Sequence, residues 1–301
     1  MELIGVTSVS FSKNKQLVNE LKLKFPKAKI ILSTTKCSRH KLIHLVKKCN
    51  RIIVGLDVID KEIIFYANKL HTISKFGVGL NNIDIDECNK KTITVNYTKG
   101  VNKRSVSELV ISSAISLSRN LYNSNIQLKD GKWIVKGGEN LSSKKFGIIG
   151  FGNIGRDLAK ILGPLDCKIY YNDILKLKNI SKKYISKSKK FIYSQCDFIS
   201  IHLPLTKKTK NLINKNNLKT MKKNSILINT SRGGIINEKD LFIYLKRKKI
   251  KGAILDVYEN EPFLNKNILN LENLIALPHI GGSSKESILK MGRASIKNLE
   301  S

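Results

Sequence analysis

Three segments of the chain each carry polar residues of catalytic type directly after an apolar run. Arg232 can clamp a carboxylate and polarise a carbonyl through its planar fork of donors. His279 can move a proton near neutral pH, and Glu261 can hold and orient the imidazolium. These side chains suit chemistry between a 2-hydroxy acid and a 2-oxo acid, and a purely structural Arg232–Glu261 ion pair is the alternative. The segments are Asn229-Thr-Ser-Arg-Gly-Gly234, Asp256-Val-Tyr-Glu-Asn-Glu-Pro262 and Pro278-His-Ile-Gly-Gly282.

A glycine-rich stretch lies upstream of these segments. Gly150, Gly152 and Gly155 have the G-x-G-x-x-G spacing and follow the apolar run Phe146 to Ile149. The first glycine permits a tight turn, the second lets a pyrophosphate approach the backbone, and the third lets a helix pack closely on the strand. The helix should open near Asn153 and direct its N-terminus at the phosphates. This arrangement predicts a dinucleotide site.

An acidic residue is present where such a site needs one. The next predicted strand runs from Lys168 to Asn172, and Asp173 follows it, roughly 20 residues after the glycine turn. A carboxylate at this distance binds the ribose hydroxyls and repels a 2′-phosphate, and the neighbouring Ile174 offers no charge to bind one. The sequence therefore favours NAD over NADP.

The chain alternates predicted strands and helices, which is typical of an α/β fold with parallel sheets. Because ligands bind beyond the carboxyl ends of parallel strands, we expect the polar segments and the glycine turn to share one edge. The early predicted strands are Leu3 to Val9, Lys29 to Leu32, Arg51 to Val54, His71 to Lys75 and Thr92 to Val95. The predicted helices between them are Lys13 to Phe25, Ser38 to Lys48, Lys61 to Asn68 and Ile83 to Lys90. The later predicted strands are Asp197 to Leu203, Ser225 to Asn229, Gly252 to Asp256 and Leu274 to Leu277.

Two Ser-x-x-Glu patterns predict capping boxes at helix starts. Ser105 with Glu108 should open a long apolar helix, Val106 to about Leu121, that links two domains. The run Ser283-Ser-Lys-Glu286 should open a terminal helix.

Composition indicates a soluble globular protein rather than a membrane or disulfide-rich one. The 301 residues, 41% of them hydrophobic, suffice for two domains of roughly 150 residues each. The sequence has no apolar run of about 18 residues and no signal-peptide pattern at its start. The unpatterned cysteines predict reduced thiols in a cytoplasmic protein, with neither disulfides nor a metal site. They are Cys37, Cys49, Cys88, Cys167 and Cys196.

The net charge of +32 raises the question of nucleic-acid binding. The lysines are spread along the whole chain, and no helix-turn-helix, zinc-finger or RNA-binding signature accompanies them. The densest run, Lys246-Arg-Lys-Lys249, closes a helical segment, where cations are favourable. We expect nonspecific attraction to polyanions and no specific nucleic-acid partner.

Together these motifs resemble those of the D-isomer-specific 2-hydroxyacid dehydrogenase family, across essentially the whole chain. Further matching runs are His202-Leu-Pro-Leu-Thr206 with Thr209, and Leu255-Asp-Val-Tyr258 with Glu261-Pro262. The resemblance implies that Arg232, Glu261 and His279 are catalytic and that His202 is structural. It implies NAD as cofactor, contacted by Gly150, Gly152, Asn153, Ile154, Gly155, Asp173, Pro204, Thr209, Thr230, Ser231, Asp256 and Gly281.

The resemblance also implies a division into two domains. Residues 1–98, completed by a returning helix at 283–301, should form a flavodoxin-like α/β substrate domain, and residues 99–282 a Rossmann-type doubly wound sheet for NAD. The backbone of Gly77, Val78 and Gly79 should hold the substrate carboxylate. Lys75 lies where relatives often carry a basic residue, and a solvated lysine at a strand end is the alternative.

The runs Arg104-Ser-Val-Ser-Glu-Leu-Val110 and Gly147-Ile-Ile-Gly-Phe-Gly152 resemble 3-phosphoglycerate dehydrogenases. We therefore expect oxidation of 3-phosphoglycerate to 3-phosphohydroxypyruvate, the first step toward serine. Ser107 and Asn81 depart from the Ala and Asp usual in these relatives. One alternative is a reductase for glyoxylate, hydroxypyruvate or another 2-oxo acid. An alternative of another class is an NAD-sensing corepressor that binds partner proteins.

Two further expectations concern the assembly. The chain ends at residue 301, soon after His279, so we expect neither a regulatory domain nor feedback through one. By resemblance we expect a homodimer, formed through the cofactor domain and its long first helix, with no membrane partner.

Overall fold

The computed structural model describes residues 2–300 and divides the chain into two compact units. The first comprises Met1–Asn102 with Gly282–Ser301, and the second comprises Lys103–Gly281. Each unit contains a parallel sheet with helices, so the predicted α/β fold class is confirmed. Within residues 2–300, no helix is long and apolar enough to cross a membrane.

The first unit is built on a five-stranded sheet. Its strands are β1 (Leu3–Val6), β2 (Lys29–Leu32), β3 (Arg51–Val54), β4 (Thr72–Lys75) and β5 (Thr94–Asn96). Its helices are α1 (Val9–Ser12), α2 (Lys15–Lys24), α3 (Arg39–Lys48), α4 (Lys61–Phe65), α5 (Ile85–Lys90) and α13 (Lys285–Lys297). The strand order is β2-β1-β3-β4-β5, and neighbouring strands are parallel. This is the flavodoxin-like order expected for the substrate domain.

Helix α13, from the far end of the chain, completes the first unit. A Cβ added to Gly292 would lie 2.3 Å from Leu17 Cδ1, so α13 packs closely on α2. The Ser74 hydroxyl donates to the Ser295 carbonyl at 2.8 Å, and the Ser295 hydroxyl shares its proton between the Met291 carbonyl at 2.8 Å and the Lys75 carbonyl at 3.1 Å. These bonds attach α13 to β4.

The second unit contains a seven-stranded sheet. Its strands are β6 (Lys145–Ile149), β7 (Lys168–Asn172), β8 (Tyr184–Ser186), β9 (Phe198–Ile201), β10 (Ile226–Asn229), β11 (Gly252–Leu255) and β12 (Leu274–Ala276). Its helices are α6 (Lys103–Ser118), α7 (Leu121–Lys129), α8 (Asn153–Leu162), α9 (Lys189–Gln195), α10 (Lys215–Thr220), α11 (Glu238–Lys246) and α12 (Lys266–Leu269), with a 3-10 turn at Gly163–Leu165. The order is β12-β11-β10-β9-β6-β7-β8, with the nucleotide strand β6 beside the point where the order reverses. This is the doubly wound Rossmann order with one strand added at an edge.

Both sheets are apolar on their two faces because helices cover each side. Ile52 and Ile53, adjacent on β3, are fully buried in separate core clusters. Leu227 and Ile228 on β10 likewise point into separate clusters. Burial of each such side chain stabilises the fold by roughly 1.5–3 kcal/mol.

Several predicted boundaries were wrong, and side-chain caps explain two of them. Strand β1 ends at Val6 rather than Val9, because the Ser8 side chain accepts the Phe11 N–H and caps α1. The terminal helix is capped by Ser284, which accepts the Ser287 N–H, and not by Ser283. Each of these caps satisfies an N–H group that the helix itself leaves free.

The predicted capping box at Ser105 was also wrong. Helix α6 begins two residues earlier, at Lys103, so Ser105 lies in its first turn. The Ser105 hydroxyl donates instead to the carbonyl of Gly281 at 2.7 Å. Ser105 therefore fixes the loop after β12 rather than the start of the helix.

Candidate active site

The glycine turn between β6 and α8 requires glycine at two positions for internal reasons. Gly150 has a φ of 93°, and a Cβ there would lie 2.3 Å from the carbonyl oxygen of His202. A Cβ on Gly155 would lie 2.4 Å from the carbonyl oxygen of Gly150. Both contacts are with backbone, which cannot move aside as a flexible side chain can.

Gly152 is different, because a Cβ there would meet no protein atom within 4 Å. It is the N-cap of α8, and it has no side chain to accept the first free N–H groups of that helix. These N–H groups and the helix dipole together form an anion site. The open space at Gly152 therefore forms a cradle that a phosphate can enter. The methyl group of an alanine at this position would fill it.

Asp173 lies beside this cradle. Its Oδ2 accepts the Phe151 N–H at 2.7 Å, and its Oδ1 accepts the Leu175 N–H at 2.9 Å. An ionised carboxylate has about four lone-pair positions. Two N–H bonds thus orient the group and leave capacity for hydroxyl donors such as those of a ribose.

Arg232 lies in the turn after β10, and Asn229 organises that turn. Asn229 Oδ1 accepts the N–H and the hydroxyl of Ser231 at 3.1 and 2.7 Å, and its Nδ2 donates to the Arg232 carbonyl at 2.8 Å. Burial lowers the pKa of Arg232, and the negative charge of Glu261 opposes that effect. The guanidinium stays a cation and lies within the field of the Glu261 carboxylate.

Glu261 and His279 form a direct pair. Glu261 Oε2 lies 2.8 Å from His279 Nδ1, and Glu261 Oε1 accepts the Tyr258 N–H at 3.0 Å. A carboxylate oxygen accepts, so the tautomer that fits this contact has Nδ1–H donating to Glu261, which leaves Nε2 for a substrate. Both side chains are 36% exposed, so the pair is open to solvent.

The backbone at His279 is held in an unusual conformation. His279 has a φ of 55°, a left-handed value that is uncommon outside glycine. Asp256 Oδ1 accepts the Ile280 N–H at 2.7 Å, and Oδ2 accepts the Gly281 N–H at 2.7 Å. Burial raises the pKa of Asp256, and these two N–H bonds oppose the rise. Asp256 thus fixes the loop that presents the imidazole.

The remaining expected cofactor residues lie at the ends of β9 and β10 and in the loop after β12. The Thr209 hydroxyl donates to the Pro204 carbonyl at 2.6 Å, which closes the loop after β9. Thr230 is buried, and its hydroxyl oxygen has no hydrogen-bond partner among residues 2–300. A Cβ on Gly281 would lie 2.9 Å from Asp256 Oδ2. Thr230 is therefore the member of this group with an unused polar atom.

His202 bonds within the protein, in keeping with the structural role expected for it. Its Nε2 lies 2.8 Å from the Ser200 hydroxyl, and burial lowers its pKa to about 4. It is therefore a neutral imidazole at neutral pH. The histidines of the first unit, His40, His44 and His71, are exposed.

The expected substrate loop lies in the first unit, after β4. Lys75 is only 4% exposed, so it is not the solvated lysine considered as an alternative. Its Nζ donates to the Gly55 carbonyl and, at 2.7 Å, to Asn82 Oδ1. Lys75 thereby ties the loop after β3 to the loop Gly77–Asn82. Gly77 has a φ of 129°, so its backbone conformation requires glycine.

Comparison with known proteins agrees with this geometry. A family profile described as D-isomer specific 2-hydroxyacid dehydrogenase, NAD binding domain, matches residues 111–281. The chain belongs to the D-isomer-specific 2-hydroxyacid dehydrogenase family. It is 35% identical to the glyoxylate reductase of Thermococcus litoralis over 272 residues, which cover 86% of this chain and 82% of that protein.

Two further members of the family show the same likeness. The hydroxypyruvate reductase of Thermotoga maritima is 32% identical over 273 residues, which cover 88% of this chain and 89% of that protein. The crystal structure of NAD+-bound 3-phosphoglycerate dehydrogenase from Entamoeba histolytica superposes with a TM-score of 0.82 at 27% identity, covering 98% of this chain and 93% of that one. The predicted family and the NAD cofactor are confirmed.

The residues present fit NAD. The open cradle at Gly152 and the free N-terminus of α8 suit a pyrophosphate. Asp173 has acceptor capacity for ribose hydroxyls, and Thr230 offers an unused buried hydroxyl. The contacts that the individual residues are expected to make with NAD remain predictions.

The three motif glycines should respond differently to an added methyl group. Gly152→Ala is expected to weaken NADH binding about tenfold or more, because the methyl group fills the cradle. Its free energy of unfolding should change by less than about 1 kcal/mol, since the new Cβ meets no protein atom. NADH fluorescence titration and urea unfolding measure the two quantities.

Gly155→Ala is the matched control, because its Cβ would press on the Gly150 carbonyl. It should lower the free energy of unfolding as well as NADH affinity. Native NADH affinity in Gly152→Ala would show that the cradle holds no phosphate.

Asn229 and Glu238 were not singled out from the sequence. Asn229 carries a local signal, because an asparagine at a strand end commonly forms a side-chain turn with the next residues. Glu238 carries no local signal of its role. It accepts the Glu259 N–H at 2.6 Å, a bond across 21 positions of the chain.

Proposed function

We propose that the protein catalyses NAD-dependent interconversion of a small 2-oxo acid and its D-2-hydroxy acid. The observation that supports this most strongly is the 2.8 Å contact between Glu261 Oε2 and His279 Nδ1, in the field of the half-buried Arg232. Arginine, glutamate and histidine at the ends of neighbouring parallel strands match the needs of the reaction. NAD, when bound, supplies or accepts the hydride.

The side chains of the second unit have separate roles. The Arg232 guanidinium binds the substrate carboxylate and polarises the 2-oxo group through its planar fork. His279 Nε2 gives a proton to the carbonyl oxygen during reduction and takes it back during oxidation. The Glu261 carboxylate keeps the imidazole oriented and stabilises it when Nε2 is protonated.

For the substrate we propose an unphosphorylated acid, glyoxylate or hydroxypyruvate, ahead of the 3-phosphoglycerate favoured by the sequence motifs. Two of the similar relatives are named for these acids. Lys75 bonds to Gly55 and Asn82 and is buried, so its charge is committed to its own loop rather than to a substrate phosphate. The backbone N–H groups of Gly77, Val78 and Gly79 stay proposed carboxylate donors. 3-Phosphoglycerate is the second candidate, supported by the phosphoglycerate dehydrogenase likeness.

The test is NADH oxidation by purified protein with glyoxylate, hydroxypyruvate, pyruvate and 3-phosphohydroxypyruvate. Higher kcat/KM on the unphosphorylated acids supports the proposal. Turnover of 3-phosphohydroxypyruvate alone would contradict this substrate proposal and support phosphoglycerate dehydrogenase activity instead. No turnover, with NADH still bound, would favour the corepressor-like alternative.

We also propose that the protein forms a homodimer through the second unit. Helix α7 and the loop after it expose Leu121, Tyr122, Leu128, Trp133 and Val135, with Trp133 82% and Val135 88% exposed. Exposed apolar surface of this extent is typical of interfaces. The molar mass from light scattering tests the proposal. A cytoplasmic location, expected from the free cysteines, stays a prediction.

A further inference from the structure

Glu238 connects two loops that carry catalytic side chains. It is the first residue of α11, directly after the N-cap Asn237. Its Oε1 accepts the N–H of Glu259 at 2.6 Å. This bond joins the start of α11, a few residues after Arg232, to the segment that follows β11.

The segment that donates this bond also contains Glu261. The Tyr258 N–H donates to Glu261 Oε1 at 3.0 Å, and Glu261 Oε2 contacts His279 Nδ1 at 2.8 Å. The Glu259 N–H bonded to Glu238 and the Tyr258 N–H bonded to Glu261 belong to adjacent peptides. A displacement of the Tyr258–Glu259 peptide therefore acts directly next to the N–H group that holds Glu261 Oε1.

The surroundings of Glu238 disfavour its charge. Burial raises the pKa of Glu238, the bond from the Glu259 N–H opposes the rise, and the nearby carboxylates of Glu259 and Glu261 add to it. The helix dipole alone does not require an acid here, because Asp240 already provides one in the same first turn. The specific contribution of Glu238 is its bond to the Glu259 backbone.

We propose that Glu238 is a positioning residue for the catalytic pair: it fixes the Tyr258–Glu259 peptide, so that Glu261 keeps its bond to His279 Nδ1. The inference rests on the proposed function in one respect, namely that the Glu261–His279 pair takes part in turnover. Glu238 acts through Glu261 and has no contact with the reacting atoms in this mechanism.

Three variants test the role. Glu238→Ala removes the acceptor and should lower kcat about tenfold, because a small displacement of a catalytic group has a large effect on rate. The dissociation constant for NADH should stay unchanged, since the glycine turn is untouched. Glu238→Gln keeps an acceptor oxygen for the Glu259 N–H and should recover most of the native kcat.

Asp240→Ala is the matched control. Asp240 is acidic and lies in the same turn of α11, but its carboxylate accepts the Lys215 N–H at 2.8 Å and does not contact the Glu261 segment. It should leave kcat near the native value. An equal loss of kcat in Glu238→Ala and Asp240→Ala, or no loss in either, would overturn the proposal.

A second readout does not depend on turnover. The ¹⁵N chemical shifts of the His279 ring, assigned by comparison with His279→Gln, report whether Nδ1 carries the bonded proton. Glu238→Ala should shift them toward a mixture of tautomers, and Asp240→Ala should not. Unchanged shifts in Glu238→Ala would overturn the positioning role. If the native protein turns over none of the tested acids, the proposed function fails while this comparison still tests the position of Glu261.

Discussion

Replacing Arg232 with alanine is expected to lower kcat/KM for the 2-oxo acid by about 1,000-fold, comparable to the loss of a central electrostatic donor in other enzymes. Arg232 is a half-buried cation near Glu261, and the proposed mechanism assigns it both the carboxylate and the polarised carbonyl. NADH affinity should stay close to native, because the glycine turn proposed to bind NAD lies between β6 and α8, whereas Arg232 lies in the turn after β10. Steady-state kinetics and NADH fluorescence titration measure the two effects.

Arg232→Lys separates the contribution of the positive charge from that of the planar guanidinium. It retains the positive charge but not the planar fork, so it should recover only a small part of the lost activity. Urea unfolding of both variants checks that the fold persists. Activity of Arg232→Ala within about tenfold of native would place the carboxylate clamp elsewhere.

Replacing Gly233 with alanine should damage stability and catalysis together. An added Cβ would lie 1.9 Å from the Tyr258 carbonyl oxygen and 2.6 Å from the Glu259 nitrogen. These are backbone atoms, so either the Arg232 turn or the Glu261 segment must move. We expect a loss of about 3 kcal/mol in the free energy of unfolding, at the upper end for overpacking. We expect a fall in kcat of about 100-fold, because the two catalytic segments separate.

The neighbouring Gly234 provides the control. Its φ is 75°, but an added Cβ would come no closer than 3.7 Å to Leu205. Gly234→Ala should therefore cost about 1–2 kcal/mol from the left-handed backbone alone. Its kcat should fall much less than that of Gly233→Ala. Equal kcat in the two variants would show that the contact between the two segments does not matter for catalysis.

Local patterns in the sequence predicted most strands, the glycine turn and the family correctly. The strands β2, β3 and β7 have the predicted bounds, and α8 begins at Asn153 as expected. These elements carry strong local signals, namely continuous apolar runs and glycines at fixed spacing. The Glu261–His279 contact was also expected, from the chemistry of the two side chains and their places after apolar runs, and the structure shows it directly.

Features that depend on distant contacts were not predicted. Ser105 looked like a cap in its own neighbourhood, but its hydroxyl bonds to the carbonyl of Gly281. Lys75 looked like a surface lysine as readily as a site residue, and its burial depends on Gly55 and Asn82. Hydrogen-bond partners so far apart in sequence leave no local pattern that could reveal them.

One short edge strand was missed for a different reason. Strand β8 has only three residues, Tyr184–Ser186, and pairs with β7 alone. It is flanked by lysine and serine, so it lacks the run of β-branched or apolar residues that marks the other short edge strands β5 and β12. The strand exists because the edge of the sheet offers free N–H and C=O groups to pair with.

The discontinuity of the first unit has a consequence for the newly made chain. The ribosome produces residues 2–102 first, then all of the second unit, and only afterwards α13. Until α13 arrives, Leu17 on α2 lacks its neighbour Gly292, and the Ser74 hydroxyl on β4 lacks the Ser295 carbonyl. The second unit, by contrast, is continuous in sequence and can fold as soon as it leaves the exit tunnel. The part made first is thus the part completed last, and during that interval its apolar surface is available to chaperones.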